Sequence, residues 1–212
     1  MQIQVALDRI PLEHALLITE AVRSQADWVE VGTSLIKQFG MAAVREVVAA
    51  AGRTPVLADL KTADDARFEF GLAFDAGAAS ATVLALADDA TIDLAVEVAR
   101  DRGAEVLVDL MGVDEGRRRT LARMLPPEVV LGAHVPKDAQ ARGGRPADLL
   151  GDWASGRRIA LAGGLTADDV PALAGRPDLR VIVGSAVTRA QDPVGALHDL
   201  RRAAGQHAGA AS

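Results

Sequence analysis

Carboxylates stand at or near the ends of several short apolar runs in this chain. Asp8 follows residues 3–7, Glu30 lies within residues 28–31 just ahead of Gly32-Thr33, and Asp59 and Lys61 flank Leu60 at the close of residues 55–60, with Asp64 three residues further on. Asp109 falls near the end of residues 105–110, and His134 follows residues 129–133. Like charges gathered in an apolar setting repel and coexist only with a cation, a proton or a paired lysine. Glu30 and Asp59 offer two hard oxygen ligands to Mg²⁺, an ion that keeps waters and also accepts substrate oxygens. Lys61, set among acids, is a fixed positive charge or a proton carrier. One such carboxylate alone reads equally well as a helix cap or a lysine partner. Five acids, a lysine and a histidine at successive run ends read as chemistry.

A second group of residues offers backbone rather than side chain. Gly163-Gly164 precede Leu165-Thr166, and Gly184-Ser185 precede Ala186, after the last two apolar runs. Exposed N–H groups there, beside a helix N-terminus, can surround a phosphate; tight turns would use the same glycines. Other polar residues have structural readings. His14 and His198 lie in helical segments and His207 in the C-terminal tail, while Arg117-Arg118-Arg119 reads as the solvated face of a helix. Trp28 and Trp153 read as core or interface anchors and Pro126-Pro127 as a loop.

The elements that must position these groups repeat. Runs rich in Val, Ile and Leu occur at residues 3–7, 28–31, 55–60, 81–86, 105–110, 129–133, 158–162 and 179–183, with starts 21–29 residues apart. The segments between them mostly follow helical spacing, as in residues 11–24 with Leu12, Ala15, Leu16 and Ile18 on one side. Strands apolar at nearly every position belong to parallel sheets covered on both faces. Eight βα units in this length fit a single-domain α/β fold, the (β/α)8 TIM barrel, whose sites gather at the C-terminal strand ends. The same periodicity also fits a doubly wound open sheet, although no Gly-x-Gly-x-x-Gly follows the first strand. Residues 1–204 are expected to form the barrel and residues 205–212 a small-residue tail that frays.

Composition narrows the function classes. The 212 residues carry 23 Lys+Arg and 29 Asp+Glu, a formal net charge of −6, and are 50% hydrophobic. That balance is opposite to the signature of disorder, and no apolar run approaches the roughly 20 residues of a membrane span. The absence of cysteine excludes disulfides, thiolate metal sites and cysteine nucleophiles. With no charged-then-apolar leader, a cytoplasmic location is the expectation. The acidic balance and 3% aromatic content argue against nucleic acid as a partner.

The residues that carry the chemistry also resemble a known family. Asp59-Leu60-Lys61-Thr62-Ala63-Asp64 is similar to the Asp-x-Lys-x-x-Asp signature of the orotidine monophosphate decarboxylase superfamily. The likeness runs over nearly the whole chain, through Ala6-Leu7-Asp8, Val29-Glu30-Val31-Gly32-Thr33, Asp88-Asp89-Ala90-Thr91-Ile92, Val108-Asp109, His134 and Ala162-Gly163-Gly164. Within that superfamily the chain resembles the 3-hexulose-6-phosphate synthases, with the 3-keto-L-gulonate-6-phosphate decarboxylases beside them.

The resemblance implies a Mg²⁺-dependent homodimeric barrel that stabilises an enediolate made from a phosphorylated ketose. In the synthases, ribulose 5-phosphate loses a proton and its enediolate attacks formaldehyde; in the decarboxylases, loss of CO₂ yields a similar enediolate. By the same resemblance Glu30 and Asp59 hold the metal, Lys61 and Asp64 orient substrate hydroxyls, and Asp64 reaches into the neighbouring subunit's site. His134 is the acid/base residue, Asp8 and Asp109 are supporting polar residues of the catalytic set, and Thr33, Gly163, Gly164, Gly184 and Ser185 meet substrate and phosphate. Lys137, also placed in the catalytic set, matches neither branch, since the synthases carry tyrosine there and the decarboxylases arginine. A cation at that position leans toward decarboxylation, whereas Val108-Asp109 and residues 88–92 lean toward the aldol reaction. Gly184-Ser185 also lack an arginine that often touches phosphate in the decarboxylases. Two other classes remain for comparison: an isomerase or epimerase using enediolate chemistry, which in the ribulose 5-phosphate epimerases uses metal-binding histidines from several strands, and a noncatalytic phosphosugar-binding barrel.

Overall fold

All eight apolar runs become strands, β1 (Gln2–Leu7), β2 (Trp28–Val31), β3 (Val56–Thr62), β4 (Ser80–Leu84), β5 (Glu105–Asp109), β6 (Val130–His134), β7 (Ile159–Ala162) and β8 (Leu179–Val183). The computed structural model describes residues 1–136, 146–173, 176 and 178–205, so Lys137 and all of the expected tail except Gly205 lie outside the described residues. The strands pair in chain order and close, because β1 pairs in parallel with β2 on one side and with β8 on the other. Closure decides between the two architectures that periodicity left open: the fold is a TIM barrel, not an open sheet.

Helices cover the outside: α1 (Leu12–Val22), α2 (Thr33–Phe39), α3 (Met41–Ala51), α4 (Ala66–Asp75), α5 (Asp89–Asp101), α6 (Glu115–Met124), α7 (Ser185–Thr188) and α8 (Pro193–Ala203). Their starts follow from local chemistry. Asp88, Asp114 and Asp192 each accept a backbone N–H from the first turn of α5, α6 and α8, and Pro193 stands where its missing N–H costs nothing. Regularity fails around β7. Among the described residues, β6 and β7 are followed by short 3₁₀ turns, Pro146–Leu149, Asp152–Ala154 and Val170–Leu173. No helix among the described residues is long and apolar enough to cross a membrane.

The barrel wall separates two apolar regions. Outward-facing Ile3, Val5, Leu7, Val29, Val31 and Val183 pack against Ile18, Val44, Phe70, Ile92 and Leu197 of the helices. Inside, Leu57, Leu107, Val130 and Ala160, flanked by Trp28 and Ile182, form one apolar layer. Successive strand residues alternate between these regions, which is why the runs look apolar at almost every position. Inward positions toward the strand C-termini are polar, including Glu30, Asp59, Thr82 and Asp109, all buried. The inner apolar layer thus floors a polar mouth.

Arg117 departs from the solvated face expected of it. It is folded against the β4 end, donating to the carbonyls of Ala85 and Ala87 and pairing with Asp89 at 2.6 Å, because those carbonyls lie beyond the strand ladder and need a donor.

Candidate active site

The C-terminal mouth of the barrel holds a cavity of about 380 Å³. Asp8, Glu30, Thr33, Asp59, Lys61, Asp109, His134, Gly163, Gly164, Gly184 and Ser185 all line it. Parallel strands in register bring their ends to one rim, so residues spread over most of the chain meet here.

Lys61 is at the centre of the charged side. Its Nζ donates to Asp109 Oδ2 at 2.6 Å and to Asp59 Oδ1 at 3.3 Å. Strand alternation puts Lys61 on the same side as Leu57 and Asp59, at a point where β3 shifts register against β4 between Ala58 and Thr62 and Lys61 takes φ 51°. A left-handed lysine costs on the order of 1–2 kcal/mol, so the surrounding bonds must hold it. Its own N–H donates to Thr82 Oγ1 at 2.8 Å, and Thr82 in turn donates to Asp59 Oδ1 at 2.8 Å. Thr33 Oγ1 donates to the other Asp59 oxygen at 2.6 Å. Asp59 is therefore fixed from three elements.

Burial and charge set the protonation states. Burial works against a charged Lys61, but Asp59 and Asp109 outweigh it and hold the ammonium above its ordinary range. Burial likewise opposes a charged Asp109, yet hydrogen bonds and charge from His134 and Lys61 pull its carboxyl from 3.8 down to about 2. Glu30 goes the other way. Burial first, then the negative charge of Asp59, pushes it from 4.5 to about 7 against a hydrogen bond from Gln4. His134 Nδ1 lies 3.3 Å from Asp109 Oδ2. An ionised carboxylate only accepts, so Nδ1 carries a proton toward Asp109 and Nε2 is the ring nitrogen left for other partners.

The remaining expected residues divide. Asp8 borders the cavity but also caps α2: its Oδ1 accepts the Ser34 N–H at 3.0 Å, a service Gly32 at the helix start cannot render itself. Asp64 is exposed, accepts the N–H of Asp65 and no other hydrogen bond among the described residues, and is not among the described residues lining the cavity of its own subunit. Gly184-Ser185 lead directly into α7, whereas among the described residues Gly163-Gly164 are followed by the 3₁₀ turn Val170–Leu173 and by no α-helix before β8. Of the two glycine pairs, one therefore stands at the start of an α-helix among the described residues. Sequence reading missed Gln4 and Thr82, neutral polar residues inside apolar runs, and Arg189, which lines the cavity just after α7.

Among the described residues no group of three or more His, Asp and Glu is arranged to hold a metal. Glu30 and Asp59 together provide two carboxylates on one wall, the second already heavily bonded.

Comparison with known proteins agrees with this geometry. A 3-hexulose-6-phosphate synthase of Staphylococcus epidermidis is 35% identical over 209 residues, covering 96% of this chain and 98% of that protein. The crystal structure of 3-hexulose-6-phosphate synthase from Salmonella typhimurium superposes with a TM-score of 0.87 at 34% identity, covering 98% of this chain and 100% of the other. The 3-keto-L-gulonate-6-phosphate decarboxylase of Vibrio cholerae gives 0.84 at 26% identity, with 97% of each chain covered. The profile of the Orotidine 5'-phosphate decarboxylase / HUMPS family matches residues 1–200, and with barrel, rim and relatives in agreement the chain belongs to that family.

Proposed function

We propose that this chain is a carbon–carbon lyase acting on a phosphorylated ketose, with the 3-hexulose-6-phosphate synthase reaction, the aldol addition of ribulose 5-phosphate to formaldehyde, as its activity. The observation that carries the reading is Lys61 held between Asp59 and Asp109 in one cavity with Glu30 and His134. Full-length identity of 35% to a synthase supports the choice of reaction.

In this reading Glu30 and Asp59 would hold Mg²⁺, and the donor set suits it: two hard carboxylates from neighbouring strands, beside room for water and substrate oxygens. Bound there, the ion supplies positive charge where the enediolate oxygens become negative. Lys61, charged throughout the working pH range, adds a fixed cation on the same side and holds a substrate hydroxyl. His134 exchanges a proton at Nε2 while Asp109 holds its Nδ1 proton. The C1 proton of ribulose 5-phosphate leaves, the enediolate carbon bonds to formaldehyde, and the aldehyde oxygen takes up a proton. Gly163, Gly164, Gly184 and Ser185, at the ends of β7 and β8, take the phosphate through backbone N–H groups.

The functional unit in this reading is a homodimer. Asp64 lies outside its own cavity, and the exposed Phe68 and Leu72, one turn apart on α4 just beyond it, supply an apolar face for a second copy. Asp64 then completes the partner's site.

The runner-up is decarboxylation of 3-keto-L-gulonate 6-phosphate, in which the bond to CO₂ breaks and the enediolate carbon is protonated. It is favoured by the likeness to the Vibrio cholerae enzyme and by Lys137. Purified protein with Mg²⁺ tests both: formaldehyde-dependent conversion of ribulose 5-phosphate to a hexulose phosphate supports the synthase, while CO₂ release from the keto-acid substrate without aldol product moves the assignment to the decarboxylase.

A further inference from the structure

Below the carboxylates, on the N-terminal side of the mouth, lies a charge the mechanism does not use. Arg180 on β8 is 2% exposed inside the barrel. Its guanidinium is gripped by the Glu105 carboxylate at 2.9 and 3.0 Å, by Gln2 Oε1 at 3.3 Å and by the face of Trp28, whose ring centre lies 4.1 Å away. Arg158 shares Glu105 at 2.6 Å. One further donor, Nη1, points up to Gln4 Oε1 at 3.3 Å. Gln4 is fully buried, and its Nε2 donates to Glu30 Oε2 at 2.6 Å.

The order of these atoms is forced by chemistry. A guanidinium has no acceptor, so the amide oxygen of Gln4 must face Arg180 and its NH₂ must face Glu30. Rotating the amide by half a turn would set donor against donor at one end and acceptor against acceptor at the other. Glu30 Oε2 is thereby occupied, and Oε1 has no hydrogen-bond partner among the described residues while Glu30 borders the cavity. A plug that merely filled the lower barrel would need volume and charge balance, which Glu105, Arg158 and Trp28 provide without Gln4.

We propose that Arg180 and Gln4 are positioning residues: the buried column Glu105, Arg180, Gln4 orients Glu30 so that one defined oxygen is offered to the cavity. The inference rests on the reading of Glu30 as a metal ligand. Groups that orient a ligand from behind are worth about 10–100-fold in metal affinity.

The test is titration of the metal-free protein with Mn²⁺, following free Mn²⁺ by electron paramagnetic resonance, alongside circular dichroism and thermal melting. Gln4→Leu keeps the side-chain volume and removes the donor; Arg180→Lys keeps the charge and releases the amide, and serves if the first variant fails to fold. Both should bind Mn²⁺ about 10–100-fold more weakly than the wild type while retaining folded spectra. Wild-type Mn²⁺ affinity in folded variants, even with lowered melting temperatures, overturns the proposal and leaves a structural role. Glu30→Gln binding Mn²⁺ as tightly as the wild type overturns the metal reading beneath it and the proposal together, so the two failures are distinct.

Discussion

At the scale of single residues, the site works by forcing unlike protonation states on neighbouring acids. Asp109 stays ionised because His134 and Lys61 supply bonds and charge; Glu30 is pushed toward the neutral form because it is buried beside Asp59. The sign of the Glu30 effect is definite. Its folded pKa, about 7, lies above its ordinary 4.5, so the stability it contributes is complete below pH 4.5 and is lost as pH rises through about 7. Metal-free protein should therefore melt at a lower temperature at pH 8 than at pH 5, a difference that shrinks in Glu30→Gln and on adding Mg²⁺; equal slopes in wild type and variant would contradict it. Asp59→Ala should lower kcat/KM by at least ~100-fold, about 3 kcal/mol of transition-state stabilisation, and weaken Mg²⁺ binding; intact turnover with intact binding would remove Asp59 from the site. The acids, Lys61 and His134 were legible in the sequence because charged residues at the ends of apolar runs stand out. Gln4 and Thr82 were not, because a neutral polar residue within a strand looks the same whether it faces solvent or the inside of a barrel.

At the scale of elements, two local irregularities place the charged groups. The register shift in β3 coincides with Lys61 at φ 51°, and nothing in the run that ends at Leu60 announces either, since left-handed lysine is unfavourable in isolation and is held here by bonds to β4 and β5. Between β2 and α2, Gly32 is required for close approach rather than for an unusual backbone angle. A Cβ there would lie 2.7 Å from the Leu7 carbonyl oxygen and 2.7 Å from Asp8 Cβ. Gly32→Ala should therefore cost ~1–3 kcal/mol by overpacking, read as a lowered denaturation midpoint, and should displace Asp8 from the start of α2. Unchanged stability would mean that the loop yields freely. Strand number was readable because each run is short, apolar and evenly spaced; the 3₁₀ turns that follow β6 and β7 among the described residues were not, because apolar spacing does not separate them from short α-helices.

At the scale of the whole molecule, closure of the sheet is what turns a list of strand-end residues into a site. Asp8 and Ser185 lie at opposite ends of the chain, yet pairing of β1 with β8 sets both on one cavity wall. Periodicity alone left closure open, since an open sheet uses the same strands. The exposed Asp64 carries the account beyond one chain: Phe68→Glu with Leu72→Glu should yield a folded monomer with activity reduced by at least ~100-fold, measured by sedimentation and assay on the same sample, and a fully active monomer would contradict the shared site. The most direct test of the central claim, enediolate formation at this rim, is proton NMR of ribulose 5-phosphate incubated in D₂O with the protein and Mg²⁺ in the absence of formaldehyde. Deuterium should appear at C1 with the wild type and not with Asp59→Ala. Bound ribulose 5-phosphate that keeps its C1 proton would contradict it.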